Sequence, residues 1–458
     1  MTQPVAPRQG SVLEITLADA AWGGDWWGEA PPVAALNLSD GVAYARGTKY
    51  EPRIKEWSGL RRGFDVRASN LQHVEVTITV ADDDRAVRDA LEGGQQRGSA
   101  AVMWDVYPGD ADNYQRLFTG ILDRWSYRKG ETDIVIRTDD LALRNYLPTW
   151  TVTKSEWPNA PSSSVGLLVP SVYGTHNSAG LSGTGMLTAI PVDWTVSVIG
   201  WYAVCAGEAK EVLAVYQNGT AKTITTHYTI DYALGRAGRV YTVVKFTAGN
   251  IPAAADVITC DVRGYETTGN TGSGTTAPTG VQITNPVEQM RHLLINFAEK
   301  LWLTGAWYTS SDSALIDAAS WAECVQWAEQ KQLEGAGYVG GGVEPQQVWD
   351  VLNAWLDTWG IFRAYWTAEG KIGLAVLDLS FPGYRGASDP PLLRTEDELG
   401  ASAEYEMDTT NLTGSVIASY LYDENQGQYL GSLTVTDPSA PAAVSSSQQM
   451  LWSIRRAT

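Results

Sequence analysis

The sequence predicts a mainly β protein with a helical subdomain, an α+β chain in which β domains are interrupted late by helices. Three observations predict it. Period-two alternation recurs through residues 1–150, as in Val74-Glu75-Val76-Thr77-Ile78-Thr79-Val80. Stretches rich in Gly, Ser, Thr, Asn and Pro at 158–164 and 267–279 bracket a second set of strand patterns. Between about 285 and 360 the period becomes helical and Trp joins the apolar face. We expect four regions: a β-rich N-terminal region over 1–150, an inserted β-sandwich-like domain over 151–280, a helical subdomain over 281–360 and a C-terminal β region over 361–458.

In the first region, Ala101-Val102-Met103-Trp104 and Leu117-Phe118-Thr119-Gly120-Ile121-Leu122 continue the strand pattern. Trp125-Ser126-Tyr127, a Lys129-Gly130 turn and Asp133-Ile134-Val135-Ile136-Arg137 predict a hairpin, and a short helix is expected near 85–91. Sheets or a barrel would result. In the second region, strands are expected over 211–216, 228–232, 239–246 and 257–262, with Asn218-Gly219 as a type I′ turn. Its flexible borders suggest insertion into a host fold.

Asn285-Pro286-Val287-Glu288 combines a cap residue, Pro at the first helical position and Glu three residues after the cap. Val287, Met290, Leu294, Phe297 and Leu301 then share one face. Ser320-Trp321-Ala322-Glu323 predicts the start of a second helix. A third follows Pro345, with Val348, Leu352, Trp355 and Trp359 on one side until Gly360 stops it. Strand pairs are expected around the Ala368-Glu369-Gly370 turn and around Asp423-Glu424-Asn425. The Pro/Ala/Ser-rich tail over 438–449 is expected to pack loosely.

Composition narrows the function. The 458 residues, 44% hydrophobic and 19% charged, suit about three globular domains. A formal net charge of −19 argues against a nucleic-acid-binding surface, and Arg61, Arg62 and Arg67 read as solvated cations. The N-terminal ten residues lack the apolar core of a signal peptide, and the most apolar window, 194–206, is shorter than the roughly 20 residues a membrane span needs. The chain reads as soluble and made in a cytoplasm. Cys205, Cys260 and Cys324 read as buried thiols, with a Cys205–Cys260 bridge left open; four scattered histidines add no metal-ligand spacing. No cofactor is expected.

Candidate sites are few. Trp22, Trp26 and Trp27, set among glycines with Asp25 and Glu29, could stack on sugars, but Trp is also an interface residue, and subunit or domain contact is the preferred reading. The runs Asp82-Asp83-Asp84, Asp139-Asp140 and Glu396-Asp397-Glu398 are the candidates for glycoside hydrolysis, and each lies at an expected strand end or turn. Asp82-Asp83-Asp84 lacks the spacing of an EF-hand, and the glycines at 340–342 lack the Lys-Ser/Thr of a phosphate loop. No enzyme activity is expected.

Three pieces together resemble tail-tip proteins of long-tailed bacteriophages, the baseplate hub (tail-associated or tip-attachment) family. They are the Asn285-Pro286-Val287…Leu293-Leu294 helix start, and Val348-Trp349-Asp350-Val351-Leu352-Asn353-Ala354-Trp355 leading into Phe362–Leu374, and Asn411–Val416 with Tyr420-Leu421-Tyr422-Asp423. Val215–Gly219, Tyr228–Tyr232 and Ala253–Thr259 separately resemble a small β module of phage tail proteins. Leu117–Asp123 with Asp133–Arg137 is similar to a pattern in hub and distal-tail barrels.

The resemblance implies tail-tube-like β-barrel domains and a homo-trimer, each subunit giving two such domains so that three mimic a hexameric ring. It implies a structural hub in the virion tail tip, made in the host cytoplasm. The hub would close the distal end of the tail tube beside a distal tail protein, a tape-measure protein and tail fibre or tip proteins. A cell-surface glycan is a further expected partner of the insertion. The alternatives are a hexameric distal tail protein with a carbohydrate-binding insertion, and a receptor-binding lectin. Larger members continue past the late strand, whereas this sequence ends at Thr458, so distal functions are expected on another polypeptide or are absent from a compact hub.

Overall fold

The computed structural model describes residues 10–18, 35–41, 44–45, 47–58, 71–93, 95–106, 114–147, 150–177, 187–195, 198–267, 272–299, 313–340, 345–376, 415–423, 428–436 and 447–451. Strands dominate, and helices occur at 86–93 and between 286 and 359, so the chain is mainly β with a smaller helical part. It divides into two compact units. One comprises residues 1–142, 314–317 and 363–375; the other comprises 143–313, 318–362 and 376–458.

The first unit is organised by one ladder. Its order is Glu51–Pro52, Ala35–Ser39, Gly10–Ala18, Gln95–Val106, Tyr114–Arg128, Glu131–Arg137, Glu75–Ala81 and Ile54–Trp57. The two ends of that ladder are consecutive pieces of one segment, 51–57. Its first half pairs parallel with Ala35–Ser39 and its second half pairs antiparallel with Glu75–Ala81. The ladder therefore closes on itself as a barrel of seven strand segments, so that neither end strand presents a wholly unpaired edge. Register shifts at Thr16/Ala18, Ile54/Glu56, Met103/Trp104 and Val135/Ile136 supply the bends that closure requires.

Register also places the core. Leu13 stands opposite both Leu38 and Met103, and Met103 opposite Phe118. Leu122 faces Ile136, which faces Val76, and Val80 faces Ile54. All of these side chains are buried. They make one lining of apolar side chains, each worth about 1.5–3 kcal/mol when fully buried. The alternation expected at 74–80 is observed, with Val76, Ile78 and Val80 at 0% exposure. On the opposite face Val12, Tyr50, Trp104 and Val106 form a second cluster. The hairpin turn has Lys129 and Gly130 both at positive φ, 51° and 83°, as a type I′ turn demands.

In the second unit two sheets lie within the region expected to hold a sandwich-like domain, 151–280. One runs Ile190–Thr195, Ile199–Ala206, Arg239–Phe246, Tyr228–Arg236; the other holds Thr175–His176, Leu187–Thr188, Ile258–Arg263, Glu211–Gln217 and Thr220–Lys222. Asn218 and Gly219, at φ 50° and 78°, make the predicted turn. Trp150, Val152, Trp157, Ala160 and Val169 pack on one face of the first sheet, against Ala203, Tyr241 and Val243.

The helical region starts where its cap predicts. The Asn285 side chain accepts from Val287 N–H at 2.9 Å and caps Pro286–His292. The turn that follows, Leu293–Glu299, is π-helical. Val348–Trp359 ends at Gly360, φ 62°, whose N–H donates to Leu356 O. The second helix spans Ala318–Gln330, three residues earlier than the Trp321 start that a Ser320 cap implies. Asp317 directly precedes it and is itself a favoured cap type, which the later Ser-x-x-Glu pattern obscured.

Two pairings concern the expected border at 280 and the C-terminal tail. The sandwich segment and the helical segment share packing across the expected border at 280: Ser171–Tyr173 pairs with Gly337–Val339, and Tyr173 packs on His292 and Trp355. Of the tail at 438–449, residues 438–446 lie outside the described residues, and Ser447–Gln449 belong to the strand Ser447–Leu451, paired parallel with Ser415–Asp423, which also pairs with Gln428–Thr436. Ser447, Gln448 and Gln449 complete a strand with Met450 and Leu451, residues beyond the Pro/Ala/Ser run.

Candidate functional site

The acidic runs singled out in the sequence are tied into structure. Asp82, fully buried, accepts from Val87 N–H (2.9 Å), Arg88 N–H (2.9 Å) and the Thr132 hydroxyl (2.7 Å), and so caps the Ala86–Gly93 helix. Asp84 takes both Nη groups of Arg53 at 2.7 Å, and that pairing holds its carboxyl well below the usual range. Arg53 also lies at the midpoint of the strand that closes the barrel, where its C=O accepts from Ala81 N–H. Asp139 accepts from Leu141 N–H, and buried Asp140 pairs with Arg137 at 2.6 Å, which pairs again with Asp123. These carboxylates fix turns and strand ends. Glu396, Asp397 and Glu398, the tryptophans Trp22, Trp26 and Trp27, and Arg61, Arg62 and Arg67 lie outside the described residues.

In the second unit an aromatic cluster joins the sandwich segment to the helices. Tyr173 OH lies 2.7 Å from His292 Nδ1, and the Tyr173 ring packs edge-on against Tyr265, His292 and Trp355. Tyr265 OH donates to Ala206 O. Burial holds both phenols well above their ordinary pKa. Burial, with a contribution from Arg291, depresses the His292 pKa to about 3, so the ring is neutral. Trp355 and Trp359, read as packing residues, are so used: Trp359 is buried and Trp355 lies on Tyr173.

All three cysteines are free and buried, and burial raises the Cys205 and Cys324 thiols to about 12. No three His, Cys, Asp or Glu side chains among the described residues group as metal ligands. No helix among them is long and apolar enough to cross a membrane. A cleft of about 560 Å³ is lined by residues that include Thr267, Gln282, Asn285, Glu288, Glu329 and Glu334. Two of its polar groups are committed: Asn285 caps a helix and Glu288 pairs with Arg291.

Sequence reasoning missed a cation–aromatic stack on the sandwich. Ala237 and Gly238, at φ 48° and 78°, reverse the chain between Tyr228–Arg236 and Arg239–Phe246. The Arg236 guanidinium lies 5.3 Å from the Trp157 ring centroid and 5.5 Å from that of Trp201. Lys245 Nζ lies 4.4 Å from the Trp201 centroid and pairs with Asp231 at 2.6 Å. Arg239 lies over Trp150 and within 3.7 Å of Glu156. Only the register, which sets Trp201 opposite Lys245, brings these residues together; their spacing along the chain gives no signal.

No protein-family model matches the sequence, and no curated protein matches it. Among solved structures, the chain is similar to one in the "Virion of native gene transfer agent (GTA) particle", at 13% identity and a TM-score of 0.23, over 57% of this chain and 81% of that chain. A likeness at that score bears on neither fold nor function.

Proposed function

We propose that the chain is a structural baseplate hub of a long-tailed phage or phage-like particle. It would close the distal end of the tail tube as a homo-trimer and join it to a distal tail protein, a tape-measure protein and tip or fibre components. The observation that carries this reading is the closure of the first unit's ladder by segment 51–57. A ring component must offer fixed faces to its neighbours and no open edge that would recruit strands at random. The segments that resemble the hub family add to it: the Asn285-Pro286 helix start and the Val348–Trp359 helix leading into the Phe362–Trp366 and Ile372–Val376 hairpin.

The reading includes no hydrolase activity, and what supports it is the use of Asp82, Asp84, Asp139 and Asp140 as caps and ion-pair partners. Trp22, Trp26 and Trp27 are the proposed subunit contacts. A density map of the assembled particle tests the reading: three copies should form one ring with pseudo-sixfold barrel positions. Six copies, or a location away from the tail tip, would overturn it. Purified protein should release no product from peptidoglycan or bacterial polysaccharide.

A further inference from the structure

Among the described arginines, Arg53, Arg88, Arg124, Arg137, Arg239, Arg263 and Arg291 each have a carboxylate within 4 Å. Arg236 is instead placed against two indoles. Its guanidinium lies 5.3 Å from the ring centroid of Trp157 and 5.5 Å from that of Trp201, and its buried Nε has no hydrogen-bond acceptor. Trp157 is fully buried, so one side of the stack is fixed, while Trp201 and Arg236 are only partly buried. Lys245 Nζ adds a second cation at the outer indole, although Asp231 already neutralises it.

A guanidinium is a planar fork of donors whose geometry matches carboxylate and phosphate oxygens. Two indoles fix the plane of that fork and lower the entropy lost when an anion binds. The partly buried Trp201 adds apolar surface suited to the C–H face of a sugar ring. We propose that the Trp157–Arg236–Trp201 stack is a binding subsite for the oxyanion of an anionic saccharide, either a carboxylate or a phosphate. This subsite does not depend on the hub reading, since it is complete within one chain.

One guanidinium gives weak affinity, so polymeric probes that engage several chains are the sensitive test. The full-length chain immobilised on a surface is exposed to polygalacturonate, poly(glycerol phosphate) and neutral dextran at 0.15 M salt. Binding of polygalacturonate assigns a carboxylate ligand, and binding of poly(glycerol phosphate) assigns a phosphate. Dextran should not bind. Arg236→Gln should reduce the retained acidic polymer at least tenfold, and Arg236→Lys, which keeps the charge and loses the fork, should fall in between. Arg116→Gln is the control, because Arg116 stacks on Trp104 in the other unit. It should bind as the unaltered chain does. If Arg236→Gln does not fold by near-UV circular dichroism, Arg236→Lys and Trp201→Leu carry the comparison. Failure to retain either acidic polymer, or retention unchanged in the folded Arg236 variants, overturns the proposal.

Discussion

The barrel and the sandwich meet the same problem, an exposed strand edge, in opposite ways. The barrel has one segment, 51–57, pair with both ends of its ladder, so closure is a property of the backbone. The sandwich leaves Tyr228–Arg236 at the end of its sheet and covers it locally: Tyr232 N–H donates to Gly274 O, and Thr225 N–H to Tyr228 O. Closure spreads stability around a whole ladder, whereas local covering leaves a sheet that depends on what is packed against it. The difference teaches that the barrel should resist single changes at its rim, while the second unit should fail where its sandwich meets its helices.

The largest expected effect breaks that meeting place. Gly174 has φ 68°, and a Cβ there would lie 2.0 Å from Gly335 O. Gly174→Ala combines left-handed strain with a backbone clash, so it should destabilise the second unit by about 3 kcal/mol or more. Differential scanning calorimetry should show that unit's transition lowered or lost with the barrel's retained. Loss of both together would show that the units do not melt separately.

The matching change in the barrel is Asp82→Ala. It removes a helix cap and strands the buried Thr132 hydroxyl, a combined loss of about 3 kcal/mol. Urea unfolding followed by hydrogen exchange of the 75–81 and 131–137 amides should report it, with the sandwich amides unaffected. A variant as stable as the parent would mean that ladder closure alone fixes the helix.

The pH dependence should belong to the second unit. His292 has a folded pKa of about 3 against an ordinary 6.5, so between these values the unfolded chain binds a proton that the folded chain does not. The stability His292 supports is fully present above pH 6.5 and is lost as pH falls toward 3, with a slope of up to about 1.4 kcal/mol per pH unit. His292→Gln should flatten the second unit's stability over that window relative to the parent. An unchanged slope would remove His292 as its source.

Much of this architecture is legible along the chain, and the gaps have physical causes. Asn285-Pro286 and Gly360 mark helix ends because capping is local chemistry. Lys129-Gly130 and Asn218-Gly219 mark turns for the same reason. Ala237-Gly238 escapes notice because Ala is a poor choice at φ 48°. Barrel closure is hidden because 51–57 joins each neighbour by only a few residues and carries Pro52, a residue of edges. Arg236, Trp157 and Trp201 are distant in sequence and meet only through register. The smallest effect sharpens the comparison at that turn: Ala237→Gly should raise the second unit's stability by about 1 kcal/mol or less, relieving strain, and leave the barrel's transition in place.

The measurement that tests the central claim most directly is the native mass of the purified full-length chain at near-physiological salt. The account predicts three copies of the 49.7 kDa chain, reduced to smaller species when Trp26 and Trp27 are both replaced by Ala with the fold intact. A monomer or a hexamer for the unaltered chain would contradict it.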